Sequence, residues 1–134
     1  MASPDGLWAD EAHDYTSPPR LGLNEWAPAG GWAISARAAT ATAANARLAY
    51  RFQARDVNLV MGPAQRGTAI PFRVSLDGQP ATGAHGTDVD AEGNGSVAEQ
   101  RTYQLIRQPA PIGERTFEIE LLKPGVELFC FTFG

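Results

Sequence analysis

The stretch D-V-D-A-E-G-N-G-S-V-A-E at 88–99 carries the most specific chemical pattern in the chain. Asp88, Asp90, Glu92, Gly93, Asn94, Ser96 and Glu99 occupy positions 1, 3, 5, 6, 7, 9 and 12 of a helix-hand calcium loop, where hard oxygen ligands surround the ion and a glycine makes the turn. Asp88, Asp90, Glu92, Asn94 and Glu99 are therefore the candidate metal ligands. Glu92 stands where Asp or Asn is usual, and Gly83, Gly86 and a following β-patterned segment speak against two flanking helices. A solvated acidic turn is the commoner outcome for such a cluster. No cofactor is expected, and calcium is the one ion the pattern gives reason to test.

Nucleophilic or redox catalysis has little to work with. His13 and His85 are the only histidines and lie in separate irregular regions, so no nucleophile and base are paired by spacing. A glycoside-cleaving carboxylate pair needs a defined separation across one cleft, and fifteen acidic residues make a chance pair easy to nominate. Cys130 is the single cysteine and sits in an apolar run, where a thiol is expected to be a buried small hydrophobe. The chain alone is expected not to be an enzyme.

Sugar recognition suits the remaining residue types better. Trp or Tyr rings stack on a pyranose face, while Arg, Asp, Asn and Gln hydrogen-bond its hydroxyls. Trp8, Trp26, Arg55, Asp56, Arg101 and Tyr103 are the candidate ligand contacts. Each also has a structural alternative. Arg55-Asp56 can anchor a turn, and Trp32 and Tyr50 fit a core.

The elements that must position these residues are strands. Leu48, Tyr50 and Phe52, then Val57, Leu59 and Met61, then Ile70, Phe72, Val74 and Leu76 recur at every second position, as one buried face of a strand requires. Asp77-Gly78 is a turn pair. Residues 78–96 should be loop, followed by a strand through Tyr103 and Leu105 and another through Phe117, Ile119 and Leu121. The terminal V-E-L-F-C-F-T-F is apolar in both phases, which predicts a central strand covered on both faces. Residues 32–42 are Ala-rich and leave helix and strand open. Residues 1–31 are expected to form an irregular segment, with short strands or turns, that packs over a sandwich at 32–134 and helps close its core, because Trp8, Tyr15 and Trp26 are unlike a disordered tail. Short strands joined by Gly and Pro turns favour an all-β fold, an antiparallel two-sheet sandwich or jelly roll.

Length and charge narrow the partners. The 134 residues fit one domain with an ordinary core. A net charge of -4 argues against nucleic acid. No stretch approaches the roughly 20 apolar residues of a membrane span, and the first residues lack a signal-peptide pattern, so the polypeptide as given should be soluble without direct membrane insertion. A domain cut from a longer chain would read the same way, and the compartment stays open.

Several ordered motifs point to a family. A-R-D-V-N-L-V-M-G at 54–62, V-S-L-D-G at 74–78, G-T-D-V-D at 86–90, R-T-Y-Q-L-I-R at 101–107 and P-G-V-E-L-F-C-F-T-F-G at 124–134 resemble the C-terminal domain that follows thioredoxin-like domains in DipZ-type and related bacterial redoxin proteins. L-G-L-N-E-W-A-P-A-G-G-W at 21–32 fits the same domain. The resemblance implies a carbohydrate-binding-module-like (galactose-binding-like) sandwich attached to a thioredoxin-fold domain that exchanges disulfides through a C-x-x-C pair. This chain has no such pair, and attack and resolution need two thiols. The implied role is an accessory one, either binding carbohydrate or another cell-envelope ligand, or packing on the thioredoxin-fold domain or on a second copy. The first predicts aromatic and polar residues converging on one groove; the second predicts a broad apolar patch.

Overall fold

The computed structural model describes residues 1–134. Ten strands follow in order: β1 (Ala12–Tyr15), β2 (Trp26–Ile34), β3 (Ala39–Ala41), β4 (Ala46–Phe52), β5 (Asp56–Pro63), β6 (Ile70–Leu76), β7 (Asn94–Val97), β8 (Arg101–Arg107), β9 (Arg115–Leu121) and β10 (Val126–Phe133). A single 3-10 turn covers Thr82–Ala84. The all-β antiparallel sandwich is thus present, and no helix is long and apolar enough to cross a membrane.

One strand serves both layers. The first half of β2 pairs with β4, Trp26 opposite Tyr50 and Ala29 opposite Arg47, while its second half pairs with β1 and β3. The change falls at Gly30-Gly31. Gly30 has φ +81, which costs an L side chain strain, and a Cβ on Gly31 would come within 2.9 Å of Ala43 Cβ. One layer then runs β7-β6-β9-β4-β2 and the other continues β2-β3-β10-β5-β8. Residues 1–31 accordingly contribute β1 and most of β2 to the sheets, more than the cover of short strands or turns expected of them.

Alternation builds the core as the sequence predicts. Leu48, Phe52, Phe72, Val74, Phe117 and Ile119 from one layer meet Val57, Leu59, Met61, Leu105 and Leu128 from the other in one buried cluster. The Ala-rich segment proves to be strand. Ser35 Oγ accepts the N–H groups of Arg37 and Ala38 in a turn, and buried Ala41 stands opposite buried Trp32, a small side chain leaving room for a large one. Trp32 donates its indole N–H to the Ala29 and Arg47 carbonyls at 3.0 and 3.1 Å, so its one polar atom is satisfied. The expected loop at 78–96 loses its last residues to β7, where Phe72 faces Gly95 and its ring fills the space a side chain would need.

β10 departs from expectation in an instructive way. It is central, between β3 and β5, but it is not covered on both faces. Leu128 pairs with Met61 and Cys130 with Val60, so Phe129 is an extra residue, a β-bulge. Val126 and Leu128 point inward before the bulge; Phe131 and Phe133 lie opposite inward Leu59 and Val57 after it. Both apolar sets therefore face the same layer in succession. Cys130 falls on the outer phase and is exposed, correcting the expectation of a buried thiol.

Candidate functional site

The acidic loop folds around its own backbone. Asp90 Oδ1 accepts the N–H groups of Glu92 and Asn94 at 3.0 and 2.9 Å, and these bonds hold its carboxyl below the usual carboxylate range. Asp88 receives Arg101 Nη2 at 2.8 Å and the Gln104 N–H at 2.6 Å. Burial would raise its carboxyl, but the Arg101 and Gln104 hydrogen bonds and the Arg101 charge outweigh that and lower it. Asn94 Oδ1 accepts from Arg73, and Glu99 lies 3.4 Å from Arg101. The five candidate ligands thus span a turn, β7 and the next turn, and no three acidic, His or Cys side chains share a point where a metal would sit. Only Asn94 of the five lies on β7; Asp88, Asp90 and Glu92 precede the strand and Glu99 follows it, so the strand's length separates the acids before it from the one beyond.

The six candidate sugar contacts do not converge. Trp8, 46% exposed, stacks on His13 at 4.6 Å, and His13 meets Tyr15 edge-on at 4.7 Å. Tyr103 is buried, donates its hydroxyl to the Glu99 carbonyl at 2.6 Å and has Arg101 over its ring at 3.9 Å, so it offers no face to a sugar. Arg101 is occupied by Asp88. Arg55 and Asp56 form an ion pair at 3.0 Å at the turn into β5.

Trp26 and Asp56 instead mark two different hollows. The first is an apolar cleft of about 290 Å³ at the mouth of the sandwich, where Trp26, Leu48 and Tyr50 of one layer face Ile34, Leu128 and Phe131 of the other. The second, also about 290 Å³, lies on the outer face of β5 and β8 and is polar: Asp56, Asn58, His85, Thr87, Gln104 and Arg107 line it with Ile106 as the sole apolar side chain. Cross-strand register builds it, since Asn58 stands opposite Gln104 and Asp56 opposite Arg107. The segment before β7 closes one side, with Gly86 N–H donating to the Leu105 carbonyl and the Thr87 hydroxyl to Gln104 Oε1 at 3.2 Å.

The hollow's hydrogen-bonding groups are partly free. His85 Nδ1 lies 2.9 Å from the Gly86 carbonyl, which only accepts, so Nδ1 donates there and Nε2 is left without a protein partner. Gln104 retains its amide N–H groups, and Asn58 retains its whole amide. Donors and acceptors side by side match hydroxyl groups, which need both. Sequence reasoning missed Asn58, His85, Thr87, Gln104 and Arg107 as a group. The available signal was the alternation itself, which puts Asn58, Gln104 and Asp56 on outer faces.

A third hollow lies over β4 and β9 beneath residues 17–21 and includes Glu118, whose carboxyl burial pushes up, against Arg47 and with Glu120.

Comparison with known proteins places this architecture. Protein DipZ of Mycobacterium bovis and Protein DipZ of Mycobacterium tuberculosis are each 28% identical to the chain over 129 residues, 96% of this chain but 16% of either relative. The chain therefore spans a small part of those curated relatives. A solved family two carbohydrate esterase from Clostridium thermocellum, in complex with cellohexaose, superposes with a TM-score of 0.57 at 16% identity, over 73% of this chain and 27% of that one. At that identity the likeness is one of fold. The family model described as the thioredoxin like C-terminal domain matches residues 1–134, and the chain belongs to that family.

Proposed function

We propose that the chain is a non-catalytic accessory domain of a thioredoxin-like thiol-disulfide oxidoreductase and that it binds a carbohydrate or another hydroxyl-rich component of the cell envelope. The observation that carries this reading is the polar hollow of β5 and β8, where side chains from three separate segments present unused donors and acceptors within about 290 Å³. That volume is near the lower end of small-molecule sites, roughly 300 Å³, and suits a short ligand. Disulfide exchange would belong to a thioredoxin-fold domain of the same protein, because Cys130 has no second thiol to resolve a mixed disulfide.

The test is a glycan array with the purified chain, in calcium and again in chelator. Binding that Asn58→Ala and Gln104→Ala each abolish, equal in both buffers, is the expected result. Binding that survives both substitutions would place the sugar elsewhere, and an array without signal would remove the reading.

The apolar cleft favours a second reading, that the domain packs on the thioredoxin-fold domain. Trp26 and Tyr50 are only half-buried there, and a partner would remove them from water. Hydrogen exchange on the two-domain protein, compared with the isolated chain, would show protection around Trp26 and Tyr50 under this reading and none without it.

A further inference from the structure

The polar hollow is unevenly charged, and we propose that its ligand is a carbohydrate bearing a carboxylate, with Arg107 as the residue that meets the carboxylate. The proposal rests on the hydroxyl-ligand reading of this hollow and specifies the class of ligand. Arg107 stands directly opposite Asp56 across the β5–β8 ladder, where opposite charges ordinarily pair. Here they do not. Asp56 is taken by its chain neighbour: Arg55 Nε approaches Oδ1 at 3.2 Å and Nη2 approaches Oδ2 at 3.0 Å. The arginines in ion pairs are Arg51, Arg55, Arg101 and Arg115, and Arg107 is not among them.

A β-bulge installs this free cation. Asn58 pairs with Gln104 but Val57 pairs with Ile106, so Leu105 is an extra residue in β8. Under regular pairing Ile106 would stand opposite Asp56 on the outer face. The bulge turns Ile106 inward, where it is buried, and brings Arg107 to the outer rung beside Asn58 and Gln104. The only carboxylate in the hollow is neutralised by Arg55, and the other polar groups are an imidazole, a hydroxyl and two amides. A guanidinium with both edges unengaged can receive a carboxylate bidentately, and the amides and His85 Nε2 that share the hollow can hydrogen-bond ring hydroxyls.

The experiment is calorimetric titration of the 134-residue chain with two matched pairs of sugars. The disaccharide of N-acetylglucosamine and N-acetylmuramic acid is set against N,N′-diacetylchitobiose, from which it differs by a lactyl ether that carries the carboxylate; the methyl glycoside of glucuronic acid is set against methyl glucoside. At least one acid should bind about tenfold or more tightly than its neutral partner, as one charge-assisted contact allows, and which pair discriminates tells a lactyl from a ring carboxylate. Arg107→Gln should erase the preference, Arg107→Lys should keep part of it, and Arg66→Gln, on an exposed turn, should keep all of it. Equal binding of acid and neutral sugars, or a preference that survives Arg107→Gln, overturns the acidic class while leaving the hydroxyl-ligand reading in place. No binding of any of the four sugars, with a silent glycan array, overturns both.

Discussion

The rings of Tyr50 and Phe131 meet 5.2 Å apart, one from each layer, and join the core to the apolar cleft. Phe131 reaches this place only because the bulge at Phe129 shifts the phase of β10. Phe131 also meets Phe117 at 5.9 Å and Phe133 at 6.2 Å, so truncating it removes several aromatic contacts at once. Phe131→Ala should cost about 2–3 kcal/mol, below the loss for a fully buried Phe because the side chain is only partly covered. Phe129→Ala should cost less, since that ring's charged neighbour is Arg37 at 5.6 Å, outside the core cluster. Urea denaturation of both variants checks this, and an equal loss would contradict the bulge.

The same bulge exposes Cys130. Its thiol is exposed and its one hydrogen-bond partner is the neighbouring Phe131 carbonyl at 3.4 Å. Ellman's reagent should titrate one thiol in the native chain without denaturant. Cys130→Ser should shift stability by less than about 0.5 kcal/mol, as surface substitutions do. A thiol that reacts only after unfolding would place Cys130 inside.

How much of this the residues disclose depends on length and phase. β4, β5, β6 and β9 each hold three or four large apolar residues at strict alternation, and that pattern has one solution when a single face is buried. β3 and β7 have three and four residues, of Ala, Thr, Asn, Gly, Ser and Val, and become strands only because β2 and β10, and β6, offer them partners. The bulges escape notice for a related reason. An apolar run such as F-C-F-T-F fits either phase, so the partner strand decides. The polar hollow is hidden more deeply. Of its lining, Asp56 alone is a candidate ligand contact by residue type and position, and His85 stands out only as one of two histidines; the others are ordinary surface residues until β5, β8 and the segment at 85–87 come together.

The Asp88–Arg101 pair makes a prediction about calcium and acid. Asp88 already accepts a guanidinium and a backbone N–H, so millimolar calcium should leave the melting temperature as it is in chelator; a clear rise would mean that the loop gives up these bonds for the ion. Asp88→Ala should cost about 1–2 kcal/mol at pH 7, reduced from a buried charged bond because Arg101 is partly exposed. Its carboxyl is lowered in the folded chain, so this stabilisation is present above the unfolded value of about 3.9 and is lost as pH falls through the folded value. Wild type and variant should therefore draw together in denaturation curves as the pH falls below the unfolded value and through the folded one.

Glu118 has the opposite sign. It is half-buried on the outer face of β9, between Ala49 and Ser75 on the neighbouring strands, and burial raises its carboxyl; the Arg47 charge opposes this and Glu120 adds to it. A raised acid favours the folded state when protonated. Its contribution is fully present below the unfolded value of about 4.3 and is lost as pH rises through the folded value, so at pH 7 the ionised group works against folding. Glu118→Gln keeps the shape and removes the charge. It should stabilise the chain at pH 7 and make no difference below about pH 4. Paired denaturation curves across that range decide it: a variant less stable than wild type at pH 7 would mean that the Arg47 charge on β4 outweighs burial.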